Sequence, residues 1–194
     1  AIGYRHPIYI VIPAAFAIAA ASTLAREIEK GTVFLLLARP LPRYHLVLAK
    51  GAGLLLGLIV LVGAALAGTA LGIAITDIDQ PVRLSRFFLV SYNALLLFLA
   101  IGGYAFLLSA LSREGSRAIV LATGLTVAFF FVDFVAELWE PLEFLGPWTV
   151  FHYYSPTSVV QQGAVPWNHA LVLIGIAATG YAAAIAVFQR RDIP

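Results

Sequence analysis

From Leu46 to Ile75 the chain runs through thirty consecutive residues with a single formal charge, at Lys50. A helix crossing the hydrocarbon of a bilayer needs about 20 mostly apolar residues at about 1.5 Å each, and this run supplies more than that. Four further runs share its character, over about 7–24, 87–111, 118–138 and 169–188. Charged residues make up only 11% of the 194-residue chain, against about 25% in soluble domains, so these runs do not read as core helices of a water-soluble fold. They are continuous, whereas a membrane barrel alternates apolar and polar residues over roughly 10-residue strands. The expected fold class is an all-α integral membrane protein, one domain over 1–194 with five transmembrane helices.

The longest charged interruption, Arg26 to Lys50, holds five of the twelve lysines and arginines. Its apolar middle, Val33 to Ala38, is too short to span and is closed by Pro40 and Pro42. Residues 25–45 are therefore expected to form a connector with a short helix that lies against the membrane or a partner. Five spans alternate the loops between two sides. One side collects Arg26, Lys30, Arg39, Arg43, Lys50, Arg113, Arg117, Arg190 and Arg191; the other has Arg5, Arg83 and Arg86. Positive charge favours the cytoplasm, which predicts an outward N-terminus and a cytoplasmic C-terminus. Asp77, Asp79, Glu137, Glu140 and Glu143 then fall outside.

Several residues within this frame attract a functional reading beside a structural one. Pro13 in the first span fits a packing kink, since neighbouring helices can satisfy the carbonyl it frees. Gly53, Gly57, Gly68 and Gly72 pair at four-residue spacing in the second span, which suits close helix packing within the chain or a dimer face. Asp77 and Asp79 read as a solvated turn, because calcium takes about six or more oxygen ligands. Asn93, some 10 Å into the third span by helical rise, fits a bond to a neighbouring helix or the wall of a substrate path. Asp133, the one carboxylate well inside a span, is read as structural or as a gating or substrate contact. The outer segment 139–167 holds all three tryptophans with Tyr153 and Tyr154 and predicts short interfacial helices. One of them starts at Ser155-Pro156, with serine as N-cap and proline in the first turn. His152 and His169 are far apart in sequence and give no metal set, which needs three or four converging ligands.

The chain lacks HExxH, GxSxG and P-loop motifs, has no titratable cluster in mid-span, and has no cysteine for thiol or disulfide chemistry. Neither an enzyme active site nor nucleic-acid binding is expected of it.

The first connector resembles that of the ABC type-2 permease family, the membrane subunits of ATP-driven exporters. The matching residues are Glu27 or Glu29, Gly31-Thr32, Leu35-Leu36-Leu37, Pro40, Arg43 and the closing Lys50. Phe151-His152-Tyr153-Tyr154-Ser155-Pro156 is similar to the stretch before the family's last span, and Phe188-Gln189-Arg190-Arg191-Asp192-Ile193 to its usual ending. The family has six spans with both ends in the cytoplasm. The outward start and the missing initial Met together suggest that the family's first span is not in this sequence.

The resemblance implies a permease dimer of like or unlike chains in the cell membrane, contacting lipid and served by two cytoplasmic ATPase subunits that carry the ATP and magnesium. No cofactor is expected in this chain. The connector becomes a coupling helix that docks on the ATPase through Glu29, Gly31, Thr32, Val33, Phe34, Leu36, Leu37, Arg39, Pro40 and Arg43. Gly31 breaks the preceding helix, Val33 to Leu37 offer an apolar ridge, and the two arginines suit acidic partner groups. An amphipathic helix resting on lipid headgroups is the reading without the resemblance. The rival at the level of function is a non-transporting structural subunit of a larger membrane complex on a permease-like scaffold.

Overall fold

The computed structural model describes residues 7–32, 42, 44–75 and 84–190. Five long helices occupy it: α1 (Pro7–Glu29), α2 (Tyr44–Ile75), α3 (Leu84–Leu111), α4 (Gly115–Leu138) and, after a short α5 (Pro156–Gln162), α6 (Trp167–Arg190). No strand occurs among the described residues. All five long helices are long and apolar enough to cross a membrane, and the fold is an all-α membrane protein. Each starts up to three residues before its apolar run, and α1 ends five beyond it. The apolar run marks only the stretch that meets hydrocarbon, while backbone hydrogen bonding continues through the polar flanks. Arg26 and Arg190 sit in the last turns of α1 and α6, where the helix dipole favours a cation.

The helices present two ends. The ends of α1, α3 and α6 meet the starts of α2 and α4 at the connector end. At the other, aromatic end, residues 140–148 and 151–153 form two 3-10 segments and α5 follows. The 3-10 segments pack on α4, and the second also touches α6. Trp139, Trp148 and Trp167 all stand exposed there, as befits rings anchored at a membrane boundary.

α3 is the central helix. Phe98, Phe106, Leu97 and Ile101 are fully enclosed, with α1, α2, α4 and α6 around them and α5 at one end. Lipid tails are as apolar as leucine, so close packing and hydrogen bonds rather than water exclusion hold such helices together. The closest approach is between α3 and α6, the most extensive pair. A Cβ added at Gly180 would lie 2.5 Å from the Gly103 carbonyl carbon, and one at Gly103 would lie 2.8 Å from the Ala177 carbonyl oxygen. Here the two backbones touch because neither residue has a side chain. Between α3 and α4, Tyr104 hydroxyl meets Thr126 Oγ1, and Thr126 also reaches the Ala122 carbonyl at 2.7 Å.

The glycines of α2 do otherwise than their spacing suggests. Gly53, Gly63, Gly68 and Gly72 face open space among the described residues, whereas Gly57 lies against the Phe16 ring and Gly51 in ordinary contact with the Tyr181 ring. The reason is position: α2 lies at the edge, and its buried residues Val47, Leu54 and Leu58 all fall in its first half. Beyond them it leaves the bundle.

Candidate functional site

At the connector end, two side chains and one backbone N–H of the last turns of α1 reach three other helices. Glu27 Oε1 pairs with Lys50 Nζ on α2 at 2.7 Å, both side chains being about one-fifth exposed (23% and 20%). Glu29 Oε2 accepts the Gly115 backbone N–H at 2.9 Å. Gly115 opens α4, whose first N–H groups have no partner within the helix, and the residue before it, Glu114, supplies no side-chain cap. Glu29 therefore caps α4 from another helix, with its negative charge at the positive end of the dipole. The third link is the Ala25 N–H, which donates to Ser109 Oγ near the end of α3 at 3.0 Å.

The two carboxylates diverge because residues two apart on a helix point about 200° apart. Partly exposed, the Glu27–Lys50 pair is worth about 0.2–1 kcal/mol after solvent screening. Glu29 is exposed, and a charge at a surface helix terminus contributes about 0.3–1 kcal/mol.

α1 ends in a hydrogen-bonded turn at Gly31. The Lys30 N–H reaches the Arg26 carbonyl and the Gly31 N–H the Ile28 carbonyl. Gly31 takes φ +67°, a left-handed conformation that glycine adopts without cost. Thr32 Oγ1 donates to the Glu27 carbonyl at 3.4 Å, a long and weak bond. On the far side of the connector the Tyr44 and His45 rings stack, with centroids 4.4 Å apart. The sequence-predicted docking residues thus divide. Glu29, Gly31 and Thr32 lie at this turn, whereas Val33, Phe34, Leu36, Leu37, Arg39, Pro40 and Arg43 lie outside the described residues. Arg5, Asp77, Asp79, Arg83 and Arg191 also lie outside them.

Ser109 and Gly115 are parts of this site that sequence reasoning did not single out. A backbone N–H acceptor partner leaves no side-chain signature. The Glu114-Gly115 pair before a long apolar run was the one available hint of a helix start without its own cap.

The two polar residues proposed for a substrate path sit at the aromatic end and are not brought together. Asn93 on α3 is buried (1% exposed), and its Nδ2 donates to the Tyr153 carbonyl at 3.3 Å. Asp133 on α4 accepts a 3.0 Å hydrogen bond from Thr149 Oγ1, and the His152 N–H donates to that hydroxyl at 3.3 Å. Each holds a different point of the segment after α4. Beside Asp133 opens a cavity of about 420 Å³ whose lining includes Glu137, Glu140, Glu143 and His152.

The two histidines are not distant in space: the folded segment brings their rings to 6.0 Å, with Tyr153 5.3 Å from each. No group of three or more His, Cys, Asp or Glu side chains converges for a metal ion among the described residues. Ser155 takes the cap position of α5, with Pro156 after it, but its hydroxyl makes no capping bond.

Five membrane-length helices, four of them around the buried fifth, α3, define a polytopic membrane protein. The chain belongs to the ABC-2 transporter family: the model described as "ABC-2 family transporter protein" matches residues 1–193. No curated protein matches the chain.

Proposed function

We propose that this chain is the permease subunit of an ABC exporter, coupling ATP hydrolysis on a separate ATPase to movement of a substrate across the cell membrane. In this reading the connector end faces the cytoplasm, as its share of Lys and Arg favours. The connector docks on the ATPase through residues between Glu29 and Arg43, ATP and magnesium stay on that partner, and two permease chains work together. The observation that carries the reading is the set of links from α1 to its neighbours. A push on the connector acts first on the end of α1, and Glu27–Lys50, Glu29–Gly115 and Ala25–Ser109 lead from there to α2, α4 and α3. Packed helices shift as bodies between discrete arrangements rather than deforming continuously, so three links at one end suit a rigid-body response.

The test is co-purification. The chain and its variant with Val33, Leu36 and Leu37 replaced by aspartate are each expressed in the native host and isolated in mild detergent with the subunits that co-purify. Loss of a stoichiometric ATPase from the variant is expected, with the chain still eluting as a folded species. Undiminished ATPase binding would defeat the docking assignment. Fixed-ratio membrane proteins with no ATPase in the unmutated complex would favour a structural subunit instead.

A further inference from the structure

Where α1 meets the start of α4, cations gather on one corner of the connector end. Arg26 and Lys30 come from the last turn of α1 and the residue after it, Arg113 and Arg117 from the two sides of Gly115. All four are exposed. Against them stand two carboxylates, Glu29 and Glu114, since Glu27 is engaged by Lys50. The Glu29–Gly115 bond holds the two helices together here. The Arg26 stem lies across the bare backbone of Gly115, where a Cβ would strike its Cγ and stand 3.3 Å from its Nε. That path carries the Arg26 guanidinium to the start of α4.

The corner differs from the other charges at this end in two ways. Among the described residues, no ion pair or side-chain hydrogen bond occupies any of its four cations, whereas Lys50 is held by Glu27. Crowded like charges repel, and an anion among them relieves the repulsion. The planar fork of arginine matches a phosphate group in particular. The second difference lies below the corner. Val120, Leu121, Gly124 and Phe131 follow Arg117 by three, four, seven and fourteen residues, which places them on its face of the helix. All four are exposed, and Gly124 has nothing within 4 Å of its Cβ position. Only 17% of the most apolar stretch of α4 is buried, against 72% for α3.

We propose that this corner binds an anionic phospholipid, with its phosphate among Arg26, Arg113 and Arg117 and its acyl chains along the exposed face of α4. Charge complementarity and the apolar lane identify the occupant together. An acidic protein surface would meet the cations but leave the lane uncovered, and a free phosphate would do the same. Arg113 and Arg117 flank the start of α4 and are not part of the connector, so the site does not rest on the ATPase reading.

The test uses the protein as purified in mild detergent with the subunits that accompany it. Phosphatidylglycerol and phosphatidylcholine with identical chains, each carrying a diazirine in one tail, are added and photolysed. Labelled residues are then mapped by mass spectrometry. Phosphatidylglycerol is expected to label Val120, Leu121 and Phe131 several-fold more than phosphatidylcholine does. The two should label Val60 and Leu71, which face outward on α2, alike. Arg113→Gln combined with Arg117→Gln should remove most of the preference, at about fivefold in affinity for each cation lost near an anionic group. Phosphatidylcholine labelling and the α2 signal should stay unchanged, which shows that the variant is folded. Added salt should weaken the preference by screening. Arg190→Gln removes an exposed cation from the end of α6 and should leave the preference intact.

Equal labelling of α4 by the two lipids overturns the proposal, as does a preference that survives the double variant. A loss in Arg190→Gln as large as that in Arg117→Gln alone would reduce the effect to net charge and overturns it too. So does an unlabelled α4 with another subunit cross-linked there, which would assign the corner to a protein.

Discussion

Replacing Gly180 by alanine forces α3 and α6 apart, and the structure gives the scale. The new methyl carbon would stand 2.5 Å from the Gly103 carbonyl carbon and 2.7 Å from its oxygen, against about 3.5–4.0 Å for carbon atoms in contact. The obstruction is backbone, so no rotamer change clears it, and the helices must separate by about 1 Å. A gap of that size forfeits a quarter to a half of each dispersion contact it opens, and overpacking costs about 1–3 kcal/mol. Alanine returns about 1 kcal/mol in helix propensity, which leaves a net loss of up to about 2 kcal/mol, toward the upper end because the obstruction is backbone.

Gly103→Ala meets the Ala177 backbone at 2.8 Å, one turn along the same seam. A separation that admits one methyl also admits the other. The double variant should therefore cost at least about 0.5 kcal/mol less than the sum of the singles, as coupled neighbours do. The assay is unfolding in mixed micelles titrated with SDS, followed by tryptophan fluorescence; Trp167 opens α6 and serves as reporter. Gly63→Ala, with nothing within 4 Å, is the control and should be neutral or slightly stabilising. If Gly180→Ala behaves like Gly63→Ala, or if the two seam substitutions add, the backbone contact does not hold these helices.

Two further outcomes can be checked in the same preparation. Glu27→Lys and Lys50→Glu should each lower stability, by about 0.2–1 kcal/mol for the lost attraction and a similar amount for the like charges created. The charge-swapped double variant should recover most of that loss, and a double variant no better than either single would show that the pair contributes nothing. Thr149→Val leaves Asp133 Oδ1 and the His152 N–H without their shared hydroxyl. It should loosen residues 140–154 by about 1–3 kcal/mol, read as faster amide exchange there with α3 unaffected.

Length and apolarity made the five helices legible, because a run that must cross hydrocarbon leaves a plain mark in sequence. What the sequence concealed was their arrangement. α2 and α3 are about equally apolar, yet α3 is enclosed and α2 lies at the edge. Lipid and protein interior ask for the same side chains, so apolarity cannot say which of them a face will meet. Glycine count misled for the same reason: α2 has the paired spacing, while the intimate contact falls to Gly103 and Gly180 on other helices. At the connector, the sequence marked Gly31 and the closing Lys50. It left open which of Glu27 and Glu29 fills the acidic position of the family pattern, and it gave no sign that Glu27 would pair with Lys50 while Glu29 capped α4. Asn93 and Asp133 stood out as polar residues in apolar runs, but their partners are a main-chain carbonyl and a threonine hydroxyl, which carry no charge pattern to be matched.

The cap that Glu29 places on α4 has a consequence for the order in which the chain is made. Glu29 leaves the ribosome eighty-six residues before Gly115, so the acceptor is waiting when the donor emerges. The first turn of α4, which has no cap of its own, is finished only when it reaches α1. Seating α4 and completing its first turn are then one event, and a nascent chain in which α1 is misplaced carries a frayed α4 that quality-control proteases can recognise.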